Sequence, residues 1–190
     1  VPDLSVVIPV HNETANIHSL IDEVEASLTG CLPFELVIVD DCSSDDTAAV
    51  IAALATDRPW LHLRQHAKNA GQSTAVLTGV RTARAAWIAT LDGDGQNDPA
   101  DIPALWNMHL NEPGFAMICG HRHKRKDTLV KRWSSRIANT VRSRLLGDDT
   151  PDTGCGLKVF SRNDFLALPH FDHLHRFLPA LIRRLGGKIT

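Results

Sequence analysis

With 190 residues, of which 43 % are apolar and 22 % charged, the chain is long enough for one α/β domain with a full core, and its composition excludes a disordered or fibrous protein. No run of about 18 apolar residues is present to span a bilayer. The net charge of −2 names no partner, and four scattered cysteines without a C-x-x-C pair favour reduced thiols in a cytoplasmic protein over a disulfide framework or a zinc ribbon. No basic leader precedes the first apolar run, so a signal peptide is not expected.

Leu4 to Pro9 forms a first strand-like run, and Thr14 to Leu28 carries Ile17, Leu20, Ile21, Val24 and Leu28 at helical spacing. Phe34 to Val39 is a second strand ending in Asp40-Asp41, followed by a short helix over Asp46 to Ala55 with Ser44 or Asp45 as its cap. Leu61 to Arg64 predicts a third strand, Gly71 to Ala85 a helix, and Trp87 to Leu91 a buried strand that runs into Asp92-Gly-Asp94-Gly-Gln96. Ile102 to Leu110 and Met117 to Cys119 continue the alternation. Repeated β-α units with nearly continuous apolar strands imply a Rossmann-like, mostly parallel sheet with helices on both faces. Ligands of such sheets bind outside the carboxyl ends of the strands. Three polar clusters fall at those ends: 9–13, 40–44 and 92–98.

Residue 120 marks a change. Thr128 to Leu146 has amphipathic helical spacing through Val130, Trp133, Ile137, Val141 and Leu145. The segment His121 to Leu146 holds nine of the chain's 20 Lys and Arg residues, opposed only by Asp127. A basic block on an otherwise acidic chain suits an anionic partner at one face. Thr153 to Phe160 predicts a strand, Arg162 to Leu168 and Phe177 to Leu185 predict helices, and Lys188 to Thr190 reads as the opening of another strand, so further chain is expected beyond Thr190. The domain expectation is a single unit over 1–190, with one half at about 1–120 and the other at about 121–190.

In an extended chain alternate residues point the same way, so Asp92, Asp94 and Gln96 can face one point and offer three hard oxygens to Mg²⁺ or Mn²⁺. An acidic turn is the alternative for the motif taken alone. The histidines at 121, 123, 170, 173 and 175 invite a zinc reading, but lack a helical H-x-x-x-H pair and a nearby cysteine.

Seven short pieces, in order, resemble the family 2 glycosyltransferases of the GT-A fold, in the branch that makes polyprenyl-phosphate sugars, the dolichol-phosphate mannosyltransferase type. They are Val7-Ile-Pro-Val-His-Asn-Glu13, Val39-Asp-Asp-Cys-Ser43, Asn69-Ala-Gly-Gln-Ser-Thr-Ala75, Asp92-Gly-Asp-Gly-Gln-Asn-Asp-Pro99, Gly120-His-Arg122, Trp133-Ser-Ser-Arg136 and Asp152-Thr-Gly-Cys-Gly-Leu-Lys158. Cys42 stands where the family usually has Gly, His11 replaces the more usual Tyr, and the family's later basic segment is missing.

The resemblance implies an inverting, metal-dependent transfer of a sugar, mannose from GDP-mannose foremost and UDP-sugars next, from a nucleotide-diphosphate donor to a polyprenyl phosphate. Pro9, His11, Glu13, Asp41, Lys68 and Asp92 would hold the nucleotide. Asp92, Asp94 and Gln96 would hold Mg²⁺ or Mn²⁺, with Asp94, Arg122 and Arg136 carrying catalysis. Arg122, Arg136, Lys158 and His175 would meet the acceptor phosphate, because guanidinium forks match phosphate oxygens. The basic block 121–146 would rest on an anionic membrane at its cytoplasmic face. Two other classes compete: an anion- or nucleic-acid-binding module using that block, and a nucleotidyltransferase. With 5 % aromatic residues and no Tyr to stack on bases, no nucleic acid is expected.

Overall fold

The computed structural model describes residues 1–112, 114–120 and 155–190. Its elements in chain order are β1 (Leu4–Val10), α1 (Thr14–Leu28), β2 (Phe34–Asp40), α2 (Thr47–Ala55), β3 (Leu61–Gln65), α3 (Gln72–Thr82), β4 (Trp87–Thr90), a 3₁₀ turn (Pro99–Asp101), α4 (Ile102–Asn111), β5 (Phe115–Cys119), β6 (Lys158–Ser161), α5 (Arg162–Leu166), α6 (Leu174–Arg184) and β7 (Lys188–Ile189). The strands form one sheet in the order β3-β2-β1-β4-β6-β5-β7.

Both faces of that sheet are covered, and strand parity says how. Val6 and Ile8 of β1 and Leu36 and Ile38 of β2 pack with α1, Ile51 of α2 and Ile102 of α4. Their neighbours Val7, Val37 and Val39 point the other way, to Val76 and Val80 of α3, Phe165 of α5 and Leu174, Leu178 and Ile182 of α6. Strands buried on both faces need the near-continuous apolar runs that the sequence carries. Within the first residues of β1 and β2, the buried carboxylate of Glu35 accepts from Ser5 Oγ (2.5 Å), Arg84 N–H (2.6 Å) and Arg84 Nε (2.7 Å). Burial alone would raise its pKa, but these donors prevail and hold it below the usual value.

The sheet is mostly parallel: β1 pairs in parallel with β2 and β4, β2 with β3, and β5 with β7. The exception is β6, antiparallel to both β4 and β5. It is also shorter than the expected strand, starting at Lys158. An antiparallel strand presents its beginning, not its end, to the edge where its neighbours finish. Lys158 therefore lies opposite Thr90, the last residue of β4. Two helix boundaries differ as well. Helix α2 starts at Thr47 behind Asp46, while Asp45 instead accepts from the Thr47 N–H and hydroxyl. Helix α6 starts three residues before the expected Phe177, because Leu174, Leu178 and Ile182 bury one stripe at fourfold spacing. The expected helix over 128–146, with Trp133 and the basic block, lies outside the described residues.

Chain direction positions the site. From β1 the chain moves outward to β2 and β3, then crosses back to place β4 on the other side of β1. Such a switch point opens a crevice at the carboxyl ends of the two strands where the order reverses. Strand β1 also outruns β4: Val7 is opposite Thr90, whereas Val10 is still paired with Asp40 of β2. Pro9 is tolerated in this central strand because β4 has already ended beside it.

Candidate functional site

The segment after β4 folds into the notch left by that difference in length. It is not extended, as the expected convergence of Asp92, Asp94 and Gln96 required: residues 93–95 turn, with Gly95 at φ +70°. The Gln96 N–H donates to Asp94 Oδ1 at 3.1 Å, an Asx turn, and Asp94 and Gln96 are both exposed. Asp92 is half-buried, and its Oδ1 accepts from Gln72 Nε2 at 2.8 Å. The turn and the carboxylate cluster are thus one object, with Asp92 turned toward α3 and Asp94 toward solvent.

On the other side of α3's first turn stands Asp41, buried beyond the end of β2. Its Oδ1 accepts from His66 Nδ1 (2.7 Å) and Ala70 N–H (2.8 Å), and its Oδ2 from Gly71 N–H (2.7 Å). His66 continues through Nε2 to Thr78 Oγ1 at 2.9 Å. Desolvation would raise the pKa of Asp41, yet the donors from Ala70, His66 and Gly71 outweigh it and keep the carboxyl below its ordinary range. The carboxylate folds the 66–71 loop back onto β2 and so fixes where α3 begins.

The loops after β1 and β2 are tied to each other in the same manner. Asn12 N–H donates to Ser43 Oγ (2.8 Å), and Asn12 Oδ1 accepts from Ser44 N–H (2.8 Å). Ser43 also donates through its hydroxyl to Asp40 Oδ1. His11 is exposed, with Nδ1 held to the Asp41 carbonyl at 3.0 Å, which leaves the ring face toward solvent. Glu13 is half-buried at the start of α1, where its Oε2 accepts from Asn16 Nδ2 (2.8 Å), and its N–H donates to Thr47 Oγ1 (2.9 Å). Pro9 is buried within β1, and Lys68 is exposed in the loop that Asp41 anchors.

The far wall comes from the end of the chain. The buried Lys158 donates to the carbonyl of Cys155, and the hydroxyl of Thr90 donates to Gly156 O at 2.8 Å. His175, on α6, shares a 2.8 Å hydrogen bond between Nδ1 and Ser73 Oγ of α3. Burial, then the charges of Lys158, Arg176 and His173, push its pKa down to about 4. At neutral pH it is therefore an uncharged hydrogen-bonding group.

Of the sequence-predicted residues, Asp41, Asp92, Lys158 and His175 all bear on the start of α3 or on the end of β4, and His11 reaches it through Asp41. Arg122 and Arg136 lie outside the described residues. Gln72, Ser73 and His66 carry contacts that the sequence did not announce; Gln72 and Ser73 sat inside the 69–75 motif, but nothing in their spacing named their partners.

The residues expected to hold a cation, Asp92, Asp94 and Gln96, offer oxygens only, and the turn does not bring the three to one point. Among the described residues no three His, Cys, Asp or Glu side chains come together at coordinating spacing. The chemistry of the donors, one or two carboxylate oxygens beside an amide oxygen, suits a hard cation that also draws on substrate phosphates. A buried side-chain oxygen without a partner, Asn97 Oδ1, at the foot of the same turn is consistent with a cation there.

Residues 5–168 match the sequence profile of Glycosyl transferase family 2. The chain is 36 % identical over 184 residues to a dodecaprenyl-phosphate galacturonate synthase of Rhizobium johnstonii, covering 95 % of this chain and 54 % of that protein. It is 33 % identical over 192 residues to an undecaprenyl-phosphate 4-deoxy-4-formamido-L-arabinose transferase of Yersinia pestis, covering 98 % and 57 %. The chain thus spans little more than half the length of these relatives. Glucosyl-3-phosphoglycerate synthase from Mycobacterium tuberculosis, in complex with UDP, shares the fold with a TM-score of 0.75 at 22 % identity, over 99 % of this chain and 69 % of that one. A further structure of that enzyme contains Mn²⁺ with UDP.

Proposed function

Because the chain belongs to glycosyl transferase family 2 and has the GT-A fold, we propose that it is the catalytic part of an inverting, cation-dependent enzyme that transfers a sugar from a nucleotide diphosphate to a polyprenyl phosphate. The observation that carries this reading is the acidic turn 92–97 in the switch-point notch, with Asp92 held by the first residue of α3. The acceptor class rests on the two polyprenyl-phosphate relatives. For the donor, mannose from GDP-mannose is the first expectation and a UDP-sugar the next. Solved structures of the same fold hold GDP-mannose in one case and UDP in another, so GDP- and UDP-sugars both enter the test below.

The chemistry asked of the protein is positioning and charge stabilisation. A phosphate acceptor is already anionic at neutral pH, so its oxygen attacks the anomeric carbon without a strong base. The bond from that carbon to the diphosphate breaks on the opposite face, and the nucleoside diphosphate leaves. Mg²⁺ or Mn²⁺ would neutralise the leaving diphosphate, held by Asp92, Asp94 and Gln96. His11 offers its ring face to the base, Glu13 a carboxylate to the ribose, and Lys68 an exposed charge on the cleft rim. We reassign Asp41 from direct nucleotide contact to anchoring, since three protein donors occupy it.

Lys158 and neutral His175 form the acceptor side with Arg122 and Arg136 of the basic segment. That segment, 121–146, would bring the enzyme to the cytoplasmic face of an anionic membrane, with 1–120 serving the donor and 121–190 the acceptor. None of the described helices is long and apolar enough to cross a membrane.

The test is transfer itself. The full-length protein is incubated with undecaprenyl phosphate, Mn²⁺ or Mg²⁺ and a panel of radiolabelled UDP- and GDP-sugars. One donor should move label into the lipid phase, and chelation should stop it. Absence of lipid label with every donor would overturn the reading.

A further inference from the structure

Asn97 lies at the foot of the acidic turn, 5 % exposed. Its Nδ2 donates to Cys155 Sγ at 3.5 Å, while its Oδ1 is buried with no hydrogen-bond partner. A buried acceptor without a donor costs about 1–3 kcal/mol, so such atoms are rare and call for a cause. The surroundings supply one. A side-chain carbon at Gly156 would overlap both Asp92 Oδ2 and Asn97 Oδ1. Both oxygens therefore rest against the Cα of Gly156 and close to each other, and neither an amide oxygen nor an ionised carboxylate can donate to the other. Two hard oxygens side by side, one charged and one neutral, form an arrangement that attracts a hard cation.

We propose that Asn97 gives the divalent cation a buried oxygen from beneath the acidic turn, with the bare Cα of Gly156 leaving the room in which Asp92 and Asn97 approach each other. The inference rests on the reading of a cation-held diphosphate and adds to it a residue outside the Asp92, Asp94 and Gln96 set. Asp94 and Gln96, exposed on the outer side of the turn, would then face the nucleotide, and the half-buried Asp92 and the buried Asn97 would form the floor. An amide buried against Cys155 is held in one rotamer, so it contributes its oxygen at little cost in side-chain order.

The opposite amide orientation would turn Nδ2 onto Asp92 and make Asn97 a hydrogen-bond donor that positions the carboxylate, and two substitutions separate these roles. The protein is titrated with Mn²⁺ in the presence of UDP, with bound and free metal followed by electron paramagnetic resonance. Asn97→Ala should weaken Mn²⁺ by about 10-fold or more. Asn97→Asp should bind at least as tightly as the parent, because a carboxylate replaces a neutral ligand at the same place. In thermal melts without metal Asn97→Asp should be the less stable protein, and Mn²⁺ should raise its Tm by more than it raises the parent's. If Asn97→Ala binds Mn²⁺ like the parent, or Asn97→Asp loses the metal, the proposal falls. Asp94→Asn tells that failure from a broader one. A weakened Asp94→Asn beside an unchanged Asn97→Ala overturns only the role of Asn97, whereas no Mn²⁺ binding by the parent overturns the cation-held diphosphate as well.

Discussion

Replacing Asp41 by Asn tests how the cleft is held. The carboxylate takes three protein donors at 2.7–2.8 Å while buried, and an amide of the same shape has only one oxygen to offer them. If that oxygen stays with His66 and Ala70, the new NH₂ faces the Gly71 N–H and that bond becomes a donor–donor contact. Hydrogen bonds to a charged group contribute about 1.5–3 kcal/mol each, so losing one and neutralising two should cost roughly 2–4 kcal/mol. Urea unfolding at pH 7 measures it. The sign of the pH dependence follows from the depressed pKa: the stabilisation is full above the unfolded value of 3.8 and is lost as pH falls through the lower folded value. The Asp41→Asn and parent curves should therefore converge in acid. Loosening the start of α3 should also weaken UDP binding, through Gln72 and Asp92. A loss under about 1 kcal/mol at pH 7, or one that is unchanged at pH 3, would refute the anchoring role.

Three further outcomes are expected. His175 titrates at about 4 in the fold against 6.5 in a free chain, so the stability tied to its neutral form is complete above pH 6.5 and drains away as pH falls toward 4. His175→Gln should flatten the parent's loss between pH 7 and pH 5 by about 1–2 kcal/mol, read by urea unfolding at both values. Cys42 sits at φ +62°, which costs a non-glycine residue about 1–2 kcal/mol, so Cys42→Gly should raise stability by roughly 0.5–1 kcal/mol after the added freedom of the unfolded chain is counted. Gly156→Ala forces its methyl against Asp92 and Asn97 and should lower stability by about 1–3 kcal/mol in the same assay.

Much of the fold was legible, because strands buried on both faces and helices buried on one leave different periods. Ile17, Leu20, Ile21, Val24 and Leu28 mark α1 in the sequence and are its buried residues in the structure. Direction is another matter: apolar periodicity is the same for a parallel and an antiparallel strand, so nothing in Thr153 to Phe160 announces that β6 runs against β4 and β5. The polar clusters at strand ends located the cleft, since residue type and strand end are both local properties. Their partners are not local. Asp41 is satisfied by residues 25 to 30 positions away and Ser73 meets His175 across 102, and no spacing rule encodes those meetings. The sequence leaves 92–96 between an extended run and an acidic turn because its glycines allow both, and in the structure the segment turns into the notch where β1 outruns β4.

The central claim, a cation-held nucleotide diphosphate in the β1–β4 notch, is tested most directly by paramagnetic broadening of backbone amide signals on adding Mn²⁺ together with UDP. The account predicts that the signals of residues 92–97 and 71–73 and of Gly156 broaden first, and that Asp92→Asn weakens the effect. Broadening centred elsewhere, or none when UDP is present, would contradict it.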